Sequence, residues 1–106
     1  MSLSNPDVSV IITNYNYGKY VSRAVRSCLN QSNTNHEVIV VDDCSTDGSL
    51  EILQTFENDI KVVSTGINSG VAVAANLGVK HSRGQFFIRV DADDYVNPFQ
   101  EFMVGN

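Results

Sequence analysis

An α/β fold, a parallel sheet with helices on both faces, is what this sequence predicts, and three observations predict it. Four short apolar runs rich in β-branched residues alternate with three segments of 3.6-residue periodicity. The first two runs are near-continuous rather than alternating, the pattern of strands covered on both sides in parallel sheets. The links between segments are short, so the order β-α-β-α-β-α-β implies right-handed crossovers and parallel neighbours.

Residues 8–13 read Val-Ser-Val-Ile-Ile-Thr, a buried strand. Gly18 then breaks the chain and a helix follows, with Tyr20, Val21, Ala24, Val25, Cys28 and Leu29 on one stripe. Tyr17 and Tyr20 are assigned to packing, since they enter this helix. Residues 37–41 form the second strand. The loop 42–47 offers several N-caps to a helix over 49–56, whose buried face is Leu50, Leu53 and Phe56. Residues 60–64 make the third strand, and Gly66, Asn68 and Gly70 make a loop. A third helix runs over 71–81, its end marked by Lys80, His81, Arg83 and Gly84. Residues 85–90 form the fourth strand. Residues 95–106 carry Phe99, Phe102 and Met103 and read as the start of another helix. Without further strands beside it, the fourth strand would show an apolar edge of Phe86, Phe87, Ile88 and Val90. Such an edge favours self-association.

At 106 residues the chain is one small domain or part of a larger one. With 42% hydrophobic and 18% charged residues its composition is that of ordinary globular proteins. A net charge of −5 argues against a nucleic-acid partner, which would call for a basic face. No apolar run reaches membrane-spanning length and no signal peptide is legible. Two cysteines are too few for a disulfide framework; as free thiols they suit a reducing, cytoplasmic setting, or one peripheral to the membrane in a longer protein. Cys44, set between acids and hydroxyls, is in a poor place for a nucleophile. His36 and His81 have no partner at metal-ligand spacing, and Lys19, Arg23 and Arg26 read as solvated helix charges.

Ligands of open α/β sheets bind beyond the carboxyl ends of the strands. Three marked segments converge there: Thr13-Asn14-Tyr15-Asn16, Asp42-Asp43 and the acidic run Asp91-Ala92-Asp93-Asp94. Asp91, Asp93 and Asp94 cannot all stay ionised cheaply without a cation, and hard oxygen ligands select Mg2+ or Mn2+. A bound ion would accept a diphosphate despite the negative protein. The competing account is a solvated acidic turn; the position after an apolar strand, beside two further acids, favours the metal. Tyr15 is explained by pattern alone as a half-buried core tyrosine, and alternatively as a ring that stacks on a base. Asp42 and Asp43 could accept a base N–H or cap a helix; Asp47 suits capping.

The segments Val8-Ser-Val-Ile-Ile-Thr-Asn-Tyr-Asn16, Val40-Val-Asp-Asp-Cys-Ser-Thr-Asp47, Asn68-Ser-Gly-Val-Ala-Val-Ala-Ala-Asn-Leu-Gly78 and Val90-Asp-Ala-Asp-Asp94 resemble the successive motifs of family 2 glycosyltransferases. The likeness covers residues 8–98 and leaves the substrate open. It implies a GT-A fold, a Rossmann-like parallel sheet, of which residues 1–106 would be the nucleotide-sugar-binding half with the acceptor half missing. It implies inverting transfer from a nucleoside-diphosphate sugar, most often a UDP-sugar, to a saccharide or lipid-linked acceptor, with Mn2+ or Mg2+ as cofactor. Tyr15 would then stack on the base and Asp43 would contact a base nitrogen. Thr13, Asp42 and Asn76 would belong to the nucleotide site, Asp93 to the ribose and the metal, and Asp91 and Asp94 to the metal. The catalytic base would lie beyond Asn106, so the isolated chain would transfer no sugar. Many relatives carry arginine directly before the asparagine that matches Asn76, where this chain has Ala75, which puts a cationic contact to the nucleotide in doubt.

Other readings fit less well. A nucleotide-binding fragment without activity remains open. An aspartate-based phosphotransferase of the haloacid-dehalogenase type would need a hydroxyl where Tyr95 stands, and its motif on the first strand. A receiver domain needs a later lysine that is missing. A dinucleotide-binding domain needs Gly-x-Gly-x-x-Gly where Asn14-Tyr15-Asn16-Tyr17-Gly18 stands.

Overall fold

The computed structural model of the chain describes residues 6–30, 35–56, 58–92 and 103–104. Its element order is β1 (Val8–Asn14), α1 (Gly18–Leu29), β2 (His36–Asp42), α2 (Ser49–Gln54), β3 (Lys61–Ser64), α3 (Val71–Lys80), β4 (Phe86–Asp91) and β5 (Met103–Val104). The sheet runs β3-β2-β1-β4-β5, with β1 to β4 parallel as the alternation predicts.

Strand parity divides the core between two faces. Val8, Val10 and Ile12 of β1 join Val38 and Val40 of β2 and Ile88 and Val90 of β4, and pack against Val21, Ala24, Val25 and Cys28 of α1 and Leu53 of α2. Ile11, Ile39 and Val41 point the other way, against Ala74 and Leu77 of α3. Each such aliphatic side chain taken fully out of water contributes about 1.5–3 kcal/mol. α3 can lie this close to the sheet because it presents Gly78: a Cβ there would meet Ile11 Cγ2 at 2.5 Å and Val41 Cγ2 at 3.1 Å. Burial pushes the Cys28 thiol up to about 12, and His36 Nε2–H donates to the Cys28 carbonyl at 2.8 Å.

The structure departs from the sequence expectations in several places. Tyr20 is 36% exposed rather than on the core stripe. Its ring lies beside Lys19 and Arg23 and edge-on to Tyr17, because the α1 stripe narrows to Val21, Ala24, Val25 and Cys28. Leu50 is exposed, and Ile52 takes its place beside Leu53 and Phe56. β3 is largely exposed, since it pairs with β2 alone among the described strands. Finally, residues 103–104, placed in a helix by their apolar spacing, form β5. β5 pairs antiparallel with β4, Phe86 opposite Val104 and Phe87 opposite Met103, so that part of the edge expected to be bare is occupied. Pairing open backbone groups outweighs local helical spacing in so short a segment. No helix among the described residues is long and apolar enough to cross a membrane.

Candidate nucleotide-binding site

The connection from β1 leads to β2 on one side, while β4 lies on the other. The carboxyl ends of β1 and β4 therefore flank a topological switch point, where such sheets open a crevice. A cleft of ≈ 370 Å³ occupies that place. Thr13 and Asn14 at the end of β1, Tyr15 and Tyr17 of the following loop, and Asp91 at the end of β4 line it on one side. Asp43, Asn68 and the start of α3 (Gly70, Val71, Ala74) line the other.

Register and parity explain how the side chains at this edge meet. Thr13 is opposite Asp91 across β1 and β4, on the α3 side of the sheet, and Thr13 Oγ1 donates to Asp91 Oδ1 at 2.9 Å. Arg89 Nη2 stands 3.7 Å from the same carboxylate, which is only partly buried. Asn14 is opposite Asp42 across β1 and β2, on the α1 side, and Asn14 Nδ2 donates to Asp42 Oδ1 at 2.8 Å. Asp42 also accepts the Ser45 hydroxyl at 2.7 Å and the Ser45 N–H at 2.9 Å. It is fully buried and absent from the cleft wall, so it anchors the loop instead of facing the cleft. Asn14 Oδ1 is buried with no hydrogen-bond partner among the described residues.

Asp43 organises the opposite wall. Its carboxylate accepts the Thr65 hydroxyl, the Ser69 N–H and the Gly70 N–H, each at 2.8 Å. Burial pushes this carboxyl up, but the three hydrogen bonds outweigh burial and hold it below the usual carboxylate range. The 65–70 loop is thereby wrapped around one anion. Gly70, at φ 92°, turns the chain from that loop into α3, whose N-terminus opens on the cleft without a side-chain cap. Asp47, whose carboxyl the Ser49 hydroxyl holds low, ties the two helix starts together: it accepts the Gly18 N–H of α1 at 2.9 Å and the Ser49 N–H of α2 at 3.0 Å.

Of the residues singled out by sequence, Thr13, Tyr15, Asp43 and Asp91 come together at the cleft. Tyr15 is 43% exposed there, which sets aside its alternative as a core tyrosine. Asn76 lies elsewhere, in a second cavity of ≈ 290 Å³ between α3 and β4 with Ala75 and Arg89. Asp93 and Asp94 fall outside the described residues. Sequence reasoning missed Tyr17, Asn68, Gly70, Val71 and Ala74. The rule that ligands sit at strand ends could have found Asn68 and Gly70, which follow β3; for Tyr17, assigned to packing, the sequence holds no such signal.

For a divalent cation the donor chemistry fits in part. Asp91 supplies one hard, half-exposed carboxylate at the cleft rim. Among the described residues no group of three His, Cys, Asp or Glu side chains converges.

Comparison with known proteins agrees with this geometry. The family described as glycosyl transferase family 2 matches residues 9–102. The chain is 45% identical over 92 residues to the putative teichuronic acid biosynthesis glycosyltransferase TuaG of Bacillus subtilis, covering 84% of this chain and 36% of that protein. It is 40% identical over 94 residues to the poly(ribitol-phosphate) beta-N-acetylglucosaminyltransferase TarS of Staphylococcus aureus, covering 84% of this chain and 16% of that one. The crystal structure of TarS 1–349 in complex with UDP-GlcNAc superposes with a TM-score of 0.80 at 38% identity, over 88% of this chain and 28% of that one. The mannosyltransferase PcManGT of Pyrobaculum calidifontis, in complex with GDP-Man and Mn2+, superposes with a TM-score of 0.77 at 25% identity, over 88% and 29%. The chain thus spans about a third or less of the length of these proteins. With the sheet, the cleft and the sequence in agreement, the phosphotransferase, receiver and dinucleotide-binding readings fall away, and the chain belongs to glycosyl transferase family 2, with the Rossmann-like GT-A fold.

Proposed function

We propose that this chain is the donor-binding part of a longer inverting glycosyltransferase and holds a nucleoside-diphosphate sugar, a UDP-sugar first, in the cleft between the ends of β1 and β4. The observation that carries this reading is the convergence of Tyr15, Asp43, Thr13 and Asp91 on one cleft at the switch point, in a chain whose structural neighbour TarS binds UDP-GlcNAc.

Each residue has a chemical task. The exposed Tyr15 ring offers a flat apolar face, and base stacking on such a ring is worth about 1–3 kcal/mol. A carboxylate has roughly four acceptor positions. Asp43 uses three on its own loop, and the remaining one can accept a base N–H. The start of α3 presents the positive end of its dipole to an anionic ligand. Asp91, with Asp93 and Asp94, would hold Mn2+ or Mg2+, which supplies compensation for negative charge on the leaving nucleoside diphosphate. Thr13 orients the Asp91 carboxylate through its hydroxyl. The acceptor in this reading is a saccharide or a lipid-linked sugar.

Calorimetric titration with UDP in Mn2+, repeated in EDTA, tests the reading. Saturable binding that EDTA weakens, and that Asp94→Ala also weakens, is the expected result. No heat from UDP at millimolar concentration would overturn it, and equal affinity in EDTA would remove the metal.

A further inference from the structure

We infer that Ser45 is a positioning residue for Tyr15: one hydroxyl holds the Asn14 side chain and the Asn16 backbone N–H, on either side of the ring that meets the base. The inference rests on the nucleotide reading of the cleft for its functional half only.

Ser45 Oγ lies at the centre of a three-way contact. It donates to Asp42 Oδ1 at 2.7 Å, accepts the Asn16 N–H at 2.9 Å, and accepts Asn14 Nδ2 at 3.2 Å. Asn14 and Asn16 are the residues immediately before and after Tyr15. Donating its proton to the buried Asp42 carboxylate leaves the hydroxyl two lone pairs, and these face the two asparagines. The direction of each bond is therefore fixed by Asp42, which can only accept. A second tie backs the first: Asn16 Oδ1 accepts the Thr46 N–H at 2.8 Å. Asn16 sits at φ 57°, the left-handed region, which asparagine adopts more readily than other non-glycine residues because its side chain can hydrogen-bond locally, as it does here. Tyr15 itself is 43% exposed at the cleft. The end of β1 fixes the chain before the ring, and the loop 42–47 holds the chain after it through Asn16. Ordering that loop in advance removes an entropy cost that binding would otherwise carry.

Ser45→Ala should fold, because Asp42 keeps the Asn14 amide and the Ser45 N–H. Two readouts separate the structural half of the inference from the functional half. Hydrogen exchange of the Asn16 amide reads the pinning without any nucleotide. We expect exchange about tenfold faster in Ser45→Ala, and near wild type in Ser45→Thr, which keeps the hydroxyl. Unchanged exchange in Ser45→Ala overturns the inference. Calorimetry with UDP and Mn2+ reads the consequence. Ser45→Ala should weaken UDP about tenfold, and should add nothing in a Tyr15→Ala background. An equal further loss in that background would show a general structural role and overturn positioning. Should Tyr15→Ala bind UDP normally, the nucleotide reading of the cleft fails, while the exchange rates still decide whether Ser45 holds the loop. If Ser45→Ala does not fold, Ser45→Cys, of similar size and a weak hydrogen-bonder, takes its place in both measurements.

Discussion

Asp43→Asn is the substitution that tests most of this architecture at once. The amide matches the carboxylate in shape, so packing is unchanged and only charge and one acceptor are lost. In the wild type the Thr65 hydroxyl and the Ser69 N–H share Oδ1, and the Gly70 N–H takes Oδ2. The asparagine can keep the first two on its carbonyl oxygen, but its amino group then faces the Gly70 N–H, donor against donor. Hydrogen bonds to a charged group contribute about 1.5–3 kcal/mol and neutral ones about 0.5–1.5, so the two retained bonds lose roughly 1 kcal/mol each, and the unpaired Gly70 N–H costs about 1–3 more. Against this, removing a buried charge returns part of its desolvation cost, of the order of 1–2 kcal/mol. The net expectation is a loss of about 2 kcal/mol. The same balance appears in titration. The folded carboxyl lies below its unfolded value, so the Asp43 contribution is fully present above about pH 4 and is lost as pH falls through the lower folded value. Urea unfolding at pH 7 and at pH 3 measures both. Wild type should lose stability towards pH 3 and Asp43→Asn should lose less, so that their midpoints converge. Equal midpoints at pH 7, or parallel loss in acid, would refute the account of Asp43 as the anion that holds the 65–70 loop.

Three further expectations follow from particular contacts. Gly78→Ala places a methyl group 2.5 Å from Ile11 Cγ2; overpacking costs about 1–3 kcal/mol against a helix-propensity gain of about 1, so thermal melting should fall, and a rise would show that α3 can shift off the sheet. Cys28 is buried with its thiol raised to about 12, while Cys44 is only half-buried, so a thiol reagent should label Cys44 promptly and Cys28 only on unfolding. Tyr15→Ala should weaken UDP by roughly 1–3 kcal/mol with little change in melting, whereas Tyr20→Ala, exposed and held by cations, should cost stability by under about 1 kcal/mol and leave UDP alone; reversed effects would exchange the two roles.

The strands and helices were legible because burial on both faces leaves a strong signature. The centres of β1 and β2 are runs of Val and Ile, and α1 and α3 carry their own period and their own punctuation. The errors came where exposure is decided by neighbours distant in sequence. Tyr20 and Leu50 have the right spacing for a core, yet the sheet beneath them is already covered by Val21, Val25 and Leu53. Residues 103–104 have helical spacing, yet β4 offers them open backbone groups to pair with. A periodicity argument sees only the chain's own preference and cannot see what another element supplies.

The site divides along the same line. Thr13, Tyr15, Asp43 and Asp91 could be named from sequence because each stands at or just after the carboxyl end of a strand, and all such ends of a parallel sheet point to one edge. What sequence could not show is the division of labour between adjacent acids. Asp42 and Asp43 are neighbours in a strand-like stretch, so parity sends them to opposite faces. Asp42 turns under α1, meets Asn14 and Ser45, and is fully buried. Asp43 turns towards α3, gathers the 65–70 loop, and borders the cleft. The two carboxylates therefore hold the two walls separately: Asp42, through Ser45, the wall that carries Tyr15, and Asp43 the wall that leads into α3. Removing either charge should loosen one wall and spare the other. Hydrogen exchange can observe that separation directly: Asp42→Asn should speed exchange at Asn16, Asp43→Asn at Ser69 and Gly70, and a variant that loosens both walls together would show that the cleft is one cooperative unit instead.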